Sequence, residues 1–128
     1  MYPRQYRYTT DHQWIDLSGD GCRIGITHHA QRLLGDIVHI ELPHEGARLA
    51  QGQPFSTIET CDAILELCAP VAGEVVAVNA SLNKGPAAVN DNPHASWIIT
   101  LKPTAGTPLE MLLDVTAYMK LVGHVSLT

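Results

Sequence analysis

Turn-forming residues interrupt this chain about every eight to twelve positions, and that rhythm limits it to a fold of many short strands. Between the interruptions lie runs that read as strands, at residues 6–8, 13–17, 22–26, 37–41, 54–59, 63–67, 73–78 and 97–101. Val75-Val76-Ala77-Val78 and Ile98-Ile99-Thr100-Leu101 are β-branched and alternate only partly, which suits strands buried between two sheets. Gly19-Asp20-Gly21 supplies a hairpin turn. A strand pair before Pro43 and another after Pro54 bracket a central hairpin, a pattern expected of two similar β halves. At 128 residues the chain suffices for one domain, expected to span residues 1–128, with no linker to divide it.

Two stretches carry helical signals. Thr27 can cap a short helix near residues 28–34, and Gly35 can end it. Pro108 can open a second, near residues 109–119, with Leu109, Leu112, Leu113 and Val115 as its apolar stripe. Residues 79–92 read as a polar loop carrying Gly85 and Pro86. The formal charge of −5 disfavours nucleic acid, whose binding needs a basic face. No apolar run reaches the roughly 18 residues of a membrane span, and residues 1–8 lack an apolar signal core. A cytoplasmic location is expected. Cys22, Cys61 and Cys68 have neither disulfide-framework nor zinc-ribbon spacing.

The central hairpin runs Ile58-Glu59-Thr60-Cys61-Asp62-Ala63-Ile64-Leu65-Glu66, followed by Leu67-Cys68-Ala69-Pro70-Val71-Ala72-Gly73-Glu74-Val75. Upstream stand Thr10-Asp11-His12-Gln13-Trp14, Ile24-Gly25-Ile26-Thr27-His28-His29-Ala30-Gln31, Leu34-Gly35-Asp36-Ile37-Val38 and Glu41-Leu42-Pro43; downstream, Asn90-Asp91-Asn92-Pro93 and Trp97-Ile98. In this order and spacing, over residues 8–118, the chain resembles the glycine cleavage system H proteins. The resemblance implies a mainly β, lipoyl/biotinyl-domain-like flattened barrel or sandwich, a barrel-sandwich hybrid. It also implies a lipoyl-lysine at the hairpin tip that carries an aminomethyl group between a glycine decarboxylase, an aminomethyltransferase and a dihydrolipoyl dehydrogenase.

This chain departs from that pattern at the tip. The family's lysine lies in a stretch usually reading Glu-Ser-Val-Lys-Ala, and here the matching residues are Glu59-Thr60-Cys61-Asp62-Ala63. Gly52 and Gly73 keep their places on either side. The resemblance therefore implies lipoate, while Asp62 removes its attachment point, so no cofactor is expected. Lys84, Lys102 and Lys120 are the only lysines, and none falls in a tight hairpin that a lipoate ligase would read.

Other chemistry has less support. Cys61 would be an exposed tip thiol, a possible carrier of a thioester, persulfide or mixed disulfide, but no cation is close in sequence to favour a thiolate. Cys68 should lie about opposite Phe55, too far from Cys61 for a disulfide, and is expected in the core. The seven histidines form no metal-ligating motif, and His12 is expected to be a structural hydrogen-bonding residue. Glu59, Asp62 and Glu66 are expected as solvated carboxylates rather than a catalytic pair. No catalytic residue and no metal site is expected. The expected role is non-catalytic: binding, assembly or regulation through a docking tip of Glu59, Thr60, Cys61, Asp62 and Ala63. Its expected partners are proteins, glycine cleavage enzymes or another lipoate-related enzyme. The alternatives are a carrier using Cys61, or a structural partner in a glycine cleavage complex.

Overall fold

The computed structural model describes residues 2–19, 21–106, 109 and 112–123. Its strands are β1 (Tyr6–Tyr8), β2 (Gln13–Asp16), β3 (Cys22–Ile26), β4 (Ile37–Glu41), β5 (Arg48–Leu49), β6 (Pro54–Thr60), β7 (Ile64–Cys68), β8 (Gly73–Val78) and β9 (Ile99–Pro103). Its α-helices are α1 (His28–Leu34), α2 (Ala87–Asp91) and α3 (Val115–Leu121). The strands form two antiparallel sheets, one in the order β1-β2-β3-β9-β8-β5 and the other β4-β6-β7. This is the mainly β barrel-sandwich expected above.

Period-two alternation sets the faces. In β3, Cys22, Ile24 and Ile26 are buried, while Arg23 is exposed with its guanidinium 5.2 Å from the centre of the Trp97 ring. From the other sheet come Ile40, Ile58 and Leu67, and these meet Val75, Ile99 and Leu101 in one apolar cluster. A second cluster forms around Tyr8, Trp14 and Tyr118, all buried, with the Tyr8 and Tyr118 rings stacked 4.8 Å apart. Each fully buried large apolar side chain contributes about 1.5–3 kcal/mol against exposure, so these two clusters carry most of the fold's stability.

Helix α1 begins and ends where its caps require. Thr27 Oγ1 accepts the Ala30 N–H, and Gly35, with φ +83°, donates its N–H to the Gln31 carbonyl. The second expected helix starts later than the sequence suggested. Its cap is Asp114, whose carboxylate accepts the Ala117 N–H at 2.8 Å. Leu113 is extended instead, exchanging backbone hydrogen bonds with Tyr8 in both directions at 2.8 Å. Strand pairing to β1 thus takes the residue that the helical stripe had claimed, and Pro108 lies outside the described residues.

Three further differences have physical reasons. The stretch 79–92 is not one loop but a 3₁₀ turn (Ala80–Asn83) followed by α2, anchored by fully buried Leu82 and Val89; a second 3₁₀ turn follows at Pro93–Ala95. Strand β5 is two residues long, too short to leave a periodic signal. The last strand runs two residues later than expected, because Ile98 donates its N–H to Ile24 before regular pairing with β8 begins at Ile99.

Trp14 needs the glycine opposite it. A Cβ on Gly25 would lie 2.6 Å from three atoms of the indole. Gly25→Ala is expected to lower the unfolding free energy by about 1–3 kcal/mol, read as a shifted urea midpoint. Gly19→Ala is the control, since a Cβ there meets only the Gly21 carbonyl oxygen at 3.9 Å.

Candidate functional site: the hairpin tip and its flanking groove

β6 and β7 pair as Thr57↔Glu66, Ile58↔Leu65 and Glu59↔Ile64, and the reversal falls at Thr60-Cys61-Asp62-Ala63. The turn closes with the Thr60 N–H on the Ala63 carbonyl at 2.9 Å. Thr60 Oγ1 accepts the N–H groups of Asp62 and Ala63 at 3.3 and 3.0 Å. A short hydroxyl side chain thereby holds the turn that its own residue starts. Cys61, Asp62, Ala63 and Ile64 are all exposed, while Glu59 and Thr60 are half-buried.

The hairpin's outer face is acidic with apolar spots. Glu59 sits between His39 of β4 and Ile64 of β7 in one cross-strand row. Thr57 sits between Glu41 and Glu66 in another, two residues along the same face. Ile64 is 71% and Val38 55% exposed. The one ion pair among the described residues, Arg48–Glu74 at 3.9 Å, involves none of these carboxylates.

The tip presents a thiol and a carboxylate. An amide to a carboxylic acid such as lipoate needs an amine nucleophile, and neither group supplies one. The lysines are elsewhere: Lys84 after the first 3₁₀ turn, Lys102 on β9 and Lys120 on α3. The tip residues therefore do not fit an amide-linked lipoyl group.

A groove flanks the hairpin where β7 passes the β1–β2 connection. Gln13 Nε2 donates to the Cys68 carbonyl at 2.9 Å, tying together residues 55 apart in sequence. Two adjoining hollows of about 290 and 340 Å³ share Thr10, Asp11, Gln13 and Cys68. Gln13 is 1% exposed, and its Oε1 has no hydrogen-bond partner among the described residues. The sequence placed Gln13 in a motif without giving it a role. Its signal was a polar residue at the start of a strand that is otherwise apolar inward.

Cys68 is half-buried on the groove wall, not in the core as expected. Leu67 faces inward, so alternation along β7 puts Cys68 on the other face with Ile64 and Glu66, and a bulge between Pro54 and Ser56 sets it opposite Pro54 rather than Phe55. Cys22, Cys61 and Cys68 are all free thiols, and burial pushes Cys22 above the usual thiol range. His12 does serve structurally: its Nδ1 lies 2.8 Å from Tyr118 Oη. His94 accepts the His28 N–H through Nε2 at 3.0 Å. Among the described residues no group of three or more His, Cys, Asp or Glu is placed to hold a metal ion.

Two sheets closed into a flattened barrel, with one hairpin projecting its tip into solvent, define the lipoyl-domain-like class of carrier folds. Sequence and structural comparisons narrow the class. The sequence model described as "Glycine cleavage H-protein" matches residues 6–125. A glycine cleavage system H protein of Chromohalobacter salexigens is 49% identical over 123 residues, 94% of either chain. That of Bacteroides fragilis is 43% identical over 95% of this chain and 98% of its own. The crystal structure of a glycine cleavage system H protein from Mycobacterium marinum superposes with a TM-score of 0.86 at 33% identity, covering 95% of this chain and 99% of the other. The chain belongs to the glycine cleavage H-protein family.

The tip geometry rests on one hydroxyl. Thr60→Val keeps the side-chain shape and removes the acceptor for two N–H groups. Both can then turn to water, so the global cost is expected to stay under about 1 kcal/mol. Amide hydrogen exchange at Asp62 and Ala63 is expected to quicken severalfold relative to the wild type, with β6 unchanged.

Proposed function

We propose that this chain is a glycine cleavage H-like protein that is not lipoylated, and that Asp62 stands where the family's lipoyl-lysine would stand. The observation that carries this is the tip itself: an intact, exposed turn offering a carboxylate and a thiol but no amine. The chain, taken as one domain over residues 1–128, then works without catalysing a reaction. It binds protein partners in the cytoplasm through the docking tip of Glu59, Thr60, Cys61, Asp62 and Ala63, as an assembly or regulatory factor. Its acidic face with exposed Ile64 and Val38 supports a protein partner and argues against nucleic acid. No described helix is long and apolar enough to cross a membrane. The partners in this reading are glycine cleavage enzymes or another enzyme that handles lipoate.

A second reading is favoured by one observation, the exposed free thiol of Cys61 at the tip. In it the thiol takes the place of the lipoyl arm as the point of attachment. Against it, neither Glu59 nor Asp62 at the tip has a Lys, Arg or His partner among the described residues, so no cation is held there.

Intact mass separates these readings. Co-expressed with a lipoate ligase, the wild-type chain is expected to keep its unmodified mass, whereas Asp62→Lys gains one lipoyl group. A lipoyl adduct on any lysine of the wild type overturns the proposal. For the second reading, protein from native cells is weighed without reductant beside Cys61→Ser; an adduct lost in that variant establishes the thiol carrier.

A further inference from the structure

One set of buried polar contacts lies where three segments meet. Thr27 Oγ1 lies 2.8 Å from Tyr118 Oη, and Tyr118 Oη lies 2.8 Å from His12 Nδ1. Thr27 and Tyr118 are fully buried, and His12 is half-buried. Thr27 caps α1, Tyr118 belongs to α3, and His12 sits in the β1–β2 connection. Three hydroxyl or ring atoms therefore join two helices to the sheet.

His12 is held in place at some cost. Its φ of +68° is the one positive value at a non-glycine residue among those described. Backbone bonds fix it on both sides: its N–H donates to Thr9, and its carbonyl accepts from Thr27. The backbone of His12 is thereby fixed while its ring reaches Tyr118.

The chain of bonds has a direction. Either hydroxyl can donate in the Thr27–Tyr118 contact, but Tyr118 Oη is the one acceptor that the described residues offer the Thr27 hydroxyl, so the arrangement that satisfies every proton sends it there. Tyr118 then gives its own proton to His12 Nδ1, which requires the neutral ring with its proton on Nε2. A proton taken from solvent at Nδ1 reverses this. Nδ1–H becomes a donor to Tyr118, the Tyr118 proton must turn to Thr27, and the Thr27 proton loses its acceptor in a buried site.

We propose that the Thr27–Tyr118–His12 chain is a proton-operated latch, closed while His12 is neutral, that holds α3 against the barrel and loosens it when His12 is protonated. Around His12 stand Asp11 on its own connection, His29 from α1 with ring centroids 4.7 Å apart, and Tyr118 from α3. Tyr2 of the N-terminal segment packs on Tyr118, with Arg32 of α1 near its hydroxyl. Burial, and next to it the His29 ring, hold His12 below the usual histidine value, while Asp11 opposes them. Tyr118 is pushed up to about 12, chiefly by burial, so its hydroxyl keeps its proton throughout. With the folded value of His12 below the unfolded one, the latch is complete above about pH 6.5 and is lost as pH falls through the folded value. This holds whatever group the hairpin tip carries.

Amide hydrogen exchange of α3 in the full chain, corrected for intrinsic rates, tests the latch between about pH 7.5 and pH 5. Protection of Val115–Leu121 is expected to fall about tenfold relative to β8 and β9, with a midpoint equal to that of the His12 ring followed by NMR. His12→Asn keeps an acceptor and tolerates positive φ but cannot be protonated, and in it α3 protection is expected to stay level. Level protection in the wild type overturns the latch, as does an equal fall in His12→Asn. So does a His12 titration whose midpoint differs from that of α3 exchange, a readout that needs no variant to fold.

Discussion

Ile40 of β4 and Ile58 of β6 are cross-strand partners, both fully buried, and the hairpin's projection depends on that pair. Ile58 also pairs with Leu65 on its other side, so one buried row fixes the register of the three-stranded sheet. A slip of one residue would drive Glu59 into the apolar cluster and lift Ile58 into water. No such alternative is tolerable at the cost of a buried charge. The position of Cys61 and Asp62 at the tip is therefore dictated four or so residues away, inside the core.

The second cluster has a different task. Tyr8, Trp14 and Tyr118 lie on the far side of the six-stranded sheet and bring α3 and β1 together. Stacked Tyr6 and Trp14 rings, 4.6 Å apart, extend that cluster toward the edge. Polar ends of the same aromatic side chains find partners: Trp14 Nε1 donates to the Pro93 carbonyl at 2.9 Å, and Tyr6 Oη to that of His94, also at 2.9 Å. Large rings thus supply apolar area and polar anchorage at once. The two clusters allow the hairpin side to stay exposed while the α3 side is closed by specific hydrogen bonds.

Most strands were legible because their signal is local, two-residue β5 being the exception. Alternation in β3 and β6, and the glycine turn between β2 and β3, survive without knowledge of any distant contact. Helix α1 was legible for the same reason, since Thr27 and Gly35 are caps that act within one turn. The start of α3 was not, because Leu113 answers to Tyr8, over a hundred residues earlier. Nor was the cross-strand partner of Cys68, Pro54 rather than Phe55, which follows from a bulge on the opposite strand. The groove stayed invisible altogether: Gln13 acquires its burial from a segment that only folding brings beside it. At the tip, by contrast, sequence alone was enough to show which reactive groups the turn contains.

That last legibility has a physical basis. Side chains at positions 61 to 63 are exposed, and none contributes to either apolar cluster. The turn is held through Thr60 and backbone groups, which ask nothing of the Asp62 side chain. Packing and register therefore constrain residue 62 hardly at all, and its identity can change while the hairpin, its acidic outer row and the sheet behind it persist. A retained fold is accordingly poor evidence for a retained reaction. What the turn leaves in place is the hairpin itself and the Glu59 and Glu66 carboxylates on the strands beside it.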